Sequence, residues 1–335
     1  MDTIKEASLA GGGHLKDPFD PRDHYYVSVS GDPLPKCVNL RQDEAQFTSE
    51  IYDQLKSNTC VANATAAAFW YEEKAGRHAE SWGDKGPSRL FIYWLARGAY
   101  KDKYLDMTRP SDSGTFARDA MKSLAKCGVC SETDWPFNVS IINSRPPDEA
   151  FEKAQSHTIT SFYRLDPDRP DTETHKLTLE QKDKIGTTLL ENLRKCLAEQ
   201  YPVVFGLWYR LLPSASFDET QKPFVLKDVW NLPNKPFPRH VFLDDLPDEL
   251  QPRNSSGQKV SLGGHTVLAI GYDDDRQQVL VQNSRGPTWG GSGTFWMPYS
   301  WITDCAATND FWTIRPEPIP GAKRWEEVHQ EILGV

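Results

Sequence analysis

The chain has 335 residues, 38% hydrophobic and 11% aromatic, enough for the core of one two-lobed domain or two small ones. A net charge of −9 and a pI near 5.4 argue against nucleic acid and anionic membrane as general partners, since both need a basic footprint. No apolar run approaches a membrane span and the polar start, Met1 to Glu6, is no secretory signal, so a cytoplasmic location is expected.

Residues 1–33, with glycines at 11–13 and the cluster Pro21 to Tyr26, read as an extended arm ahead of a catalytic domain at 34–335. Cys60 opens an Ala-rich run to Lys74 that lacks Gly and Pro and is followed by Gly76 at a helix C′ position. A thiol in that first turn meets the positive end of the helix dipole, so its pKa is expected to fall. Apolar spacing of three and four predicts helices over Ser88–Arg97 and Thr115–Lys126, giving a helical lobe at about 50–140.

The second half changes character, with a β-rich lobe expected at about 155–315. Thr158–Leu165 reads as a strand, about 166–184 as an inserted polar loop, Thr188 to Glu191 as a capping box starting a helix to about Gln200, and Pro202–Tyr209 as a strand. About 210–262, rich in Pro, Asp and Lys, reads as a second insertion: a solvated surface excursion or a wall of the cleft. Thr266–Tyr272 and Val279–Asn283 read as a hairpin. Pairing Tyr272 with Gln278 would set Val267 opposite Asn283, and side-chain alternation then makes His265 and Asn283 diagonal neighbours about 7–8 Å apart.

Six cysteines are too few and too scattered for a disulfide framework, and reduced thiols are expected. Cys127 and Cys130 have metal-ligand spacing, but no second pair completes a set, so they read as small core residues. His14, His24, His78, His157, His175, His240 and His329 lack ligand spacing and read as surface or satisfied histidines. No metal and no cofactor are expected.

Several blocks then carry a family resemblance. Leu34 to Arg41 looks like the mature N-terminus of papain-like (peptidase C1-type) cysteine peptidases. Asp53-Gln54 with Cys60 six residues later resembles their oxyanion glutamine and nucleophile, Gly263 to Tyr272 their histidine strand, and Gln282-Asn283-Ser284 with Trp289 to Gly293 their asparagine block. Cys127 to Phe137 matches the segment after the family's left-lobe helices. The resemblance implies an α+β fold, with a helical left lobe, an antiparallel sheet or barrel as right lobe, and a cleft between them. It implies Cys60 as nucleophile, His265 as base and acid, Asn283 as its orienter and Gln54 as oxyanion donor. Ser113, Gly114, Gly264 and Trp289 become candidate substrate-binding residues, although a helix cap and turn chemistry account for Ser113, Gly114 and Trp289 equally simply.

The resemblance departs at Asn58-Thr59-Cys60-Val61, where the family has Gly-Ser-Cys-Trp or similar, and at Arg285, where it has an aromatic. The short arm resembles the N-terminal extensions of microbial members that lie across the cleft; a partly disordered terminus is the other reading. Hydrolysis of a peptide or protein substrate through a Cys60 acyl-enzyme is the leading function. Transfer of the acyl group to an amine or thiol, on a small acyl substrate, is the second, and an inactive binding protein on the same fold the third.

Overall fold

A computed structural model describes residues 13–41, 51–77, 85–99, 111–167, 177–208, 217–218, 220–221, 223–226, 240 and 264–333. Most of the 210–262 segment therefore lies outside the described residues, as do residues 1–12 of the arm, His78 and His175.

Three helices build one lobe: α1 (Cys60–Lys74), α2 (Arg89–Ala99) and α3 (Ala117–Cys127). Every residue of α1 from Cys60 to Glu73 is buried, as expected of a helix enclosed on all sides. Its alanines let α2, α3 and the sheet approach closely, and Gly76, at φ +71°, ends it in the left-handed conformation that glycine adopts without a Cβ clash. Thr115 and Phe116 are not helical: they form the short strand β3, and α3 starts at Ala117.

The other lobe is a large sheet. Its strands are β4 (Ser161–Arg164), β5 (Val203–Trp208), β6 (Phe217–Asp218), β7 (Phe224–Leu226), β8 (Gly264–Asp273), β9 (Gln278–Gln282), β10 (Thr294–Pro298) and β11 (Thr308–Arg315). They run in the order β4-β11-β5-β8-β9-β10-β7-β6, antiparallel except for β7 with β10. β1 (His14–Leu15) and β2 (Cys37–Asn39) attach to opposite ends of β8. Phe205 and Phe311, stacked at 4.8 Å, and the buried Trp312 anchor the core where this sheet meets α1 and α3. Such a side chain contributes about 1.5–3 kcal/mol through burial.

Two expectations are corrected. The helix α5 (Leu179–Ala198), which follows α4 (Asp148–Ala154), starts at Thr178, whose hydroxyl and Gln181 form the capping box; Thr188 lies inside the helix. Residues 179–184 therefore belong to it rather than to a loop. Gly186 is tolerated mid-helix because α5 passes against the end of α6 (Tyr299–Ile302): a Cβ there would lie 2.1 Å from the Thr303 carbonyl oxygen. The C-terminal α7 (Trp325–Leu333) completes the chain, and among the described residues no helix is long and apolar enough to cross a membrane.

The hairpin register is also corrected. Tyr272 pairs with Val279, one residue from the expected partner, but a bulge between Ala269 and Gly271 absorbs the offset. Leu268 pairs with Gln282, so the strand continues toward the expected juxtaposition of Val267 and Asn283.

Candidate active site

Cys60 is the first residue of α1, wholly buried where that helix meets β8. Its turn is rigid: Asn63 Nδ2 donates to the Thr59 carbonyl at 2.9 Å, and Ser57 Oγ pairs with Thr59 Oγ1 at 2.7 Å. The hairpin of β8 and β9 brings up the other half. The His265 ring Nε2 donates to Asn283 Oδ1 at 2.8 Å, and the Ser284 amide donates to the same oxygen at 2.8 Å, which fixes the Asn283 amide with its oxygen toward the ring.

Gln54 ties the two halves together. Its amide nitrogen donates to the Ser57 carbonyl at 2.8 Å, its side-chain oxygen accepts from Ser284 Oγ at 2.6 Å, and its backbone N–H donates to the Ser284 carbonyl at 3.0 Å. Asp53 bridges to Arg285 in the same antiparallel manner. The loop ahead of the thiol and the asparagine block thus form one hydrogen-bonded unit.

The electrostatics run against the expected thiolate. Burial pushes the Cys60 thiol up from its ordinary pKa, and hydrogen bonds from Thr266 and from the amides of Cys60 and Val61 offset only part of this. His265 is pushed down to about 3, by burial first and then by the Arg285 charge, with Asn283 opposing and His14 adding to the fall. Both partners are therefore neutral here. A helix N-terminus contributes partial charges, which do not outweigh complete removal of the thiol from water.

The arm lies beside this pair and touches both lobes. His14 of β1 pairs with Thr115 of β3 on one lobe and with Gly264 of β8 on the other. Just ahead of it, Gly13 accepts from the Thr115 amide at 3.0 Å, and a Cβ on Gly13 would lie 2.2 Å from the Asn58 carbonyl oxygen. Gly114, at φ +77°, faces Gly13 so closely that a Cβ would lie 2.5 Å from its carbonyl oxygen. Among the candidate substrate-binding residues, Gly114 and Gly264 thus flank the arm, while exposed Ser113 stands at the rim of the same loop. Trp289 packs edge-on against Phe224 and Phe295 at 5.5 and 5.6 Å.

Sequence reasoning missed His14, Thr266, Asp310 and Gly206. His14 is buried and bonded to Thr266 Oγ1 at 3.0 Å and to the Asn309 amide at 2.7 Å, which makes it a satisfied histidine with an unforeseen address. The available signal was glycine inside β-rich runs, at 206 and 264, which marks close approach of another group.

A helical lobe and a mostly antiparallel sheet lobe, with this pair of elements between them, define the α+β two-lobed fold of papain-like cysteine peptidases. No family model matches the chain. It is 28% identical over 283 residues to an uncharacterized peptidase C1-like protein of Acanthamoeba polyphaga mimivirus, covering 84% of this chain and 73% of the viral one. Its structure is similar to that of xylellain, a cysteine protease from Xylella fastidiosa, with a TM-score of 0.63, 27% identity, and coverage of 95% of this chain and 100% of xylellain. Procathepsin B S9 from Trypanosoma congolense shares the fold at a TM-score of 0.55 and 13% identity, over 92% of this chain and 87% of that one. In sequence and fold the chain is similar to the papain-like, C1-type group, which supports a peptidase.

Proposed function

We propose that this protein is a cysteine peptidase that hydrolyses peptide bonds through an acyl-enzyme on Cys60, and that residues around His14 hold it latent by occupying the cleft. The observation carrying the first part is the His265–Asn283 hydrogen bond of 2.8 Å on the strand that packs against the start of α1. With Nε2–H committed to Asn283, Nδ1 is the nitrogen that exchanges a proton with the thiol. The sulfur attacks the peptide carbonyl while its proton passes to His265, and the C–N bond then breaks as the imidazolium returns that proton to the leaving amine. Water, deprotonated by the same ring, cleaves the thioester and regenerates the thiol. Gln54 Nε2 has a second hydrogen besides the one given to Ser57, and with the Cys60 N–H it is the donor assigned to the tetrahedral oxyanion.

Latency rests on the pairing of His14 with both lobes and on the neutral thiol and imidazole beneath it. Withdrawing the arm admits water and substrate, which lowers the desolvation cost of the thiolate–imidazolium pair. Arg285 disfavours the imidazolium in either state, a brake that the family's aromatic lacks. The test is turnover of a fluorogenic peptide panel by the full chain, by His14→Ala and by Cys60→Ala. The proposal requires hydrolysis that increases in His14→Ala and vanishes in Cys60→Ala; hydrolysis that survives in Cys60→Ala refutes the assignment of the nucleophile.

A further inference from the structure

The imidazole of His14 does not simply lie on the cleft surface: it fills a shaped cradle. A Cβ on Gly206 would fall 2.1 Å from its Nε2 and one on Gly264 would fall 2.7 Å from its Cδ2, so both glycines serve to make room for this ring. Trp208 closes one side edge-on at 6.2 Å. Thr266 Oγ1, at 3.0 Å from Nδ1, borders the Cys60 thiol on its other side, so the cradle abuts the reactive sulfur directly. At the far end stand Asn309 and the Asp310 carboxylate, whose Oδ2 is 3.3 Å from Nε2, with both side chains of that ion pair fully buried.

The charge around the cradle is unbalanced. Behind Asp310 lies a buried group in which the carboxylates of Asp17, Asp23, Asp166 and Asp310 face the guanidiniums of Arg118 and Arg164. The excess shows in Asp17, which burial first and then the neighbouring Asp310 hold above the ordinary carboxylate range. It shows again in His14, where Asp310 and Asn309 more than offset burial and raise the imidazole above its ordinary value. The Asn309 amide suits either state of the ring: its oxygen accepts from an imidazolium. Turned over, its nitrogen donates to a neutral ring at 2.7 Å and to Asp310 Oδ2 at 3.2 Å while its oxygen accepts from Trp208 Nε1 at 2.8 Å.

We infer that this cradle is a binding pocket for a cationic side chain, and that an arginine, lysine or histidine of the substrate takes the place of His14 when the arm withdraws. The assignment to substrate rests on the peptidase reading above; the assignment of cation selectivity does not. An extended chain seated between Thr115 and Gly264 would place one residue over the cradle, as β1 does. Removing His14 takes the cationic partner on the pocket side from a buried carboxylate that keeps the Asp17 amide on Oδ2 at 2.8 Å and Arg164 on Oδ1 at 2.7 Å, and a neutral apolar side chain seated there would not replace that charge.

The test separates the two parts. In the full chain carrying His14→Gly, methylguanidinium and its neutral isostere methylurea are titrated at neutral pH and the melting temperature is followed, with the parent protein as control. The expected result is that methylguanidinium binds the variant about tenfold or more tightly than methylurea does, the ratio a charge-assisted hydrogen bond supplies, and leaves the parent unshifted. Equal effects of the two probes, or equal shifts in variant and parent, overturn the pocket. The second measurement is kcat/KM of His14→Ala on peptides that differ at one position between arginine, lysine, histidine and norleucine. A cationic preference at one position, about tenfold or more, supports the substrate assignment. Its absence at every position, alongside cation binding in the first measurement, overturns that half. Failure to cleave any peptide counts against the peptidase reading and against the substrate half, and the binding result still decides the pocket.

Discussion

Replacing His14, the residue that pairs the arm with both lobes, by alanine removes its ring and, on the proposed latency, releases the arm. The side chain is buried, bonded to Thr266 and Asn309 and paired with Asp310. Breaking a buried pair by deleting one partner costs about 3–5 kcal/mol, because the remaining charge stays desolvated. At about 1.4 kcal/mol per tenfold, that raises the population with the arm released by roughly 10² to 4 × 10³. Water entering the vacated cradle recovers part of the penalty, so the lower figure is the working expectation. On the proposed latency, iodoacetamide or a peptidyl epoxide reaches Cys60 when the arm is out, and the labelling rate follows the open population when closing is faster than labelling. Peptide-mapped labelling of Cys60 in His14→Ala should therefore run about 10² faster than in the parent. A second effect acts in the same direction, since His14 helps to depress His265. An unchanged rate in a protein with parental circular dichroism would show that the arm does not gate the thiol.

Gln54→Ala should lower turnover by about 10²–10³ with little change in substrate affinity, checked by kcat and KM on one peptide. Arg285→Trp removes a cation that depresses His265, so the acid limb of Cys60 alkylation should move to lower pH; superimposable profiles would place Arg285 outside the pair's electrostatics. The pH dependence of stability has a defined sign. His265 is held at about 3 in the folded chain against 6.5 unfolded, so below pH 6.5 the unfolded state gains a proton that the folded state refuses. Its contribution is intact above 6.5 and is lost toward pH 3, with a limiting slope of about 1.4 kcal/mol per pH unit. His14 is shifted the other way, so its contribution is full below 6.5 and is lost at higher pH. Urea melts of parent and His265→Gln should thus diverge in their acid slope, the variant losing less stability as pH falls.

The parts of the site that lie in local sequence were legible. A gap of six residues between Gln54 and Cys60, an Ala-rich helix and an alternating hairpin are short-range patterns, and the structure brings His265 and Asn283 to 2.8 Å. The hairpin register came right at the functional end through a bulge that no propensity announces. The start of α5 was misplaced because Thr188 to Glu191 has the letters of a capping box although it lies inside the helix, while the box that forms, Thr178 with Gln181, sits in a polar run that reads as loop. His14 was out of reach for a stronger reason: its partners, Thr266, Asn309 and Asp310, lie more than 250 residues away. The depressed thiol pKa expected from the helix terminus failed because burial of the sulfur outweighs the helix dipole, and burial depends on tertiary packing that the local sequence of α1 does not carry.

The acyl-enzyme itself is the most direct measurement. His14→Ala mixed with a p-nitrophenyl ester of a short acylated peptide, quenched in acid during turnover, and analysed by intact mass and peptide mapping should carry one acyl group on Cys60. Deacylation should restore the parent mass, and His265→Ala should form the adduct far more slowly. Turnover without a covalent adduct, or an adduct on any residue other than Cys60, would contradict the account.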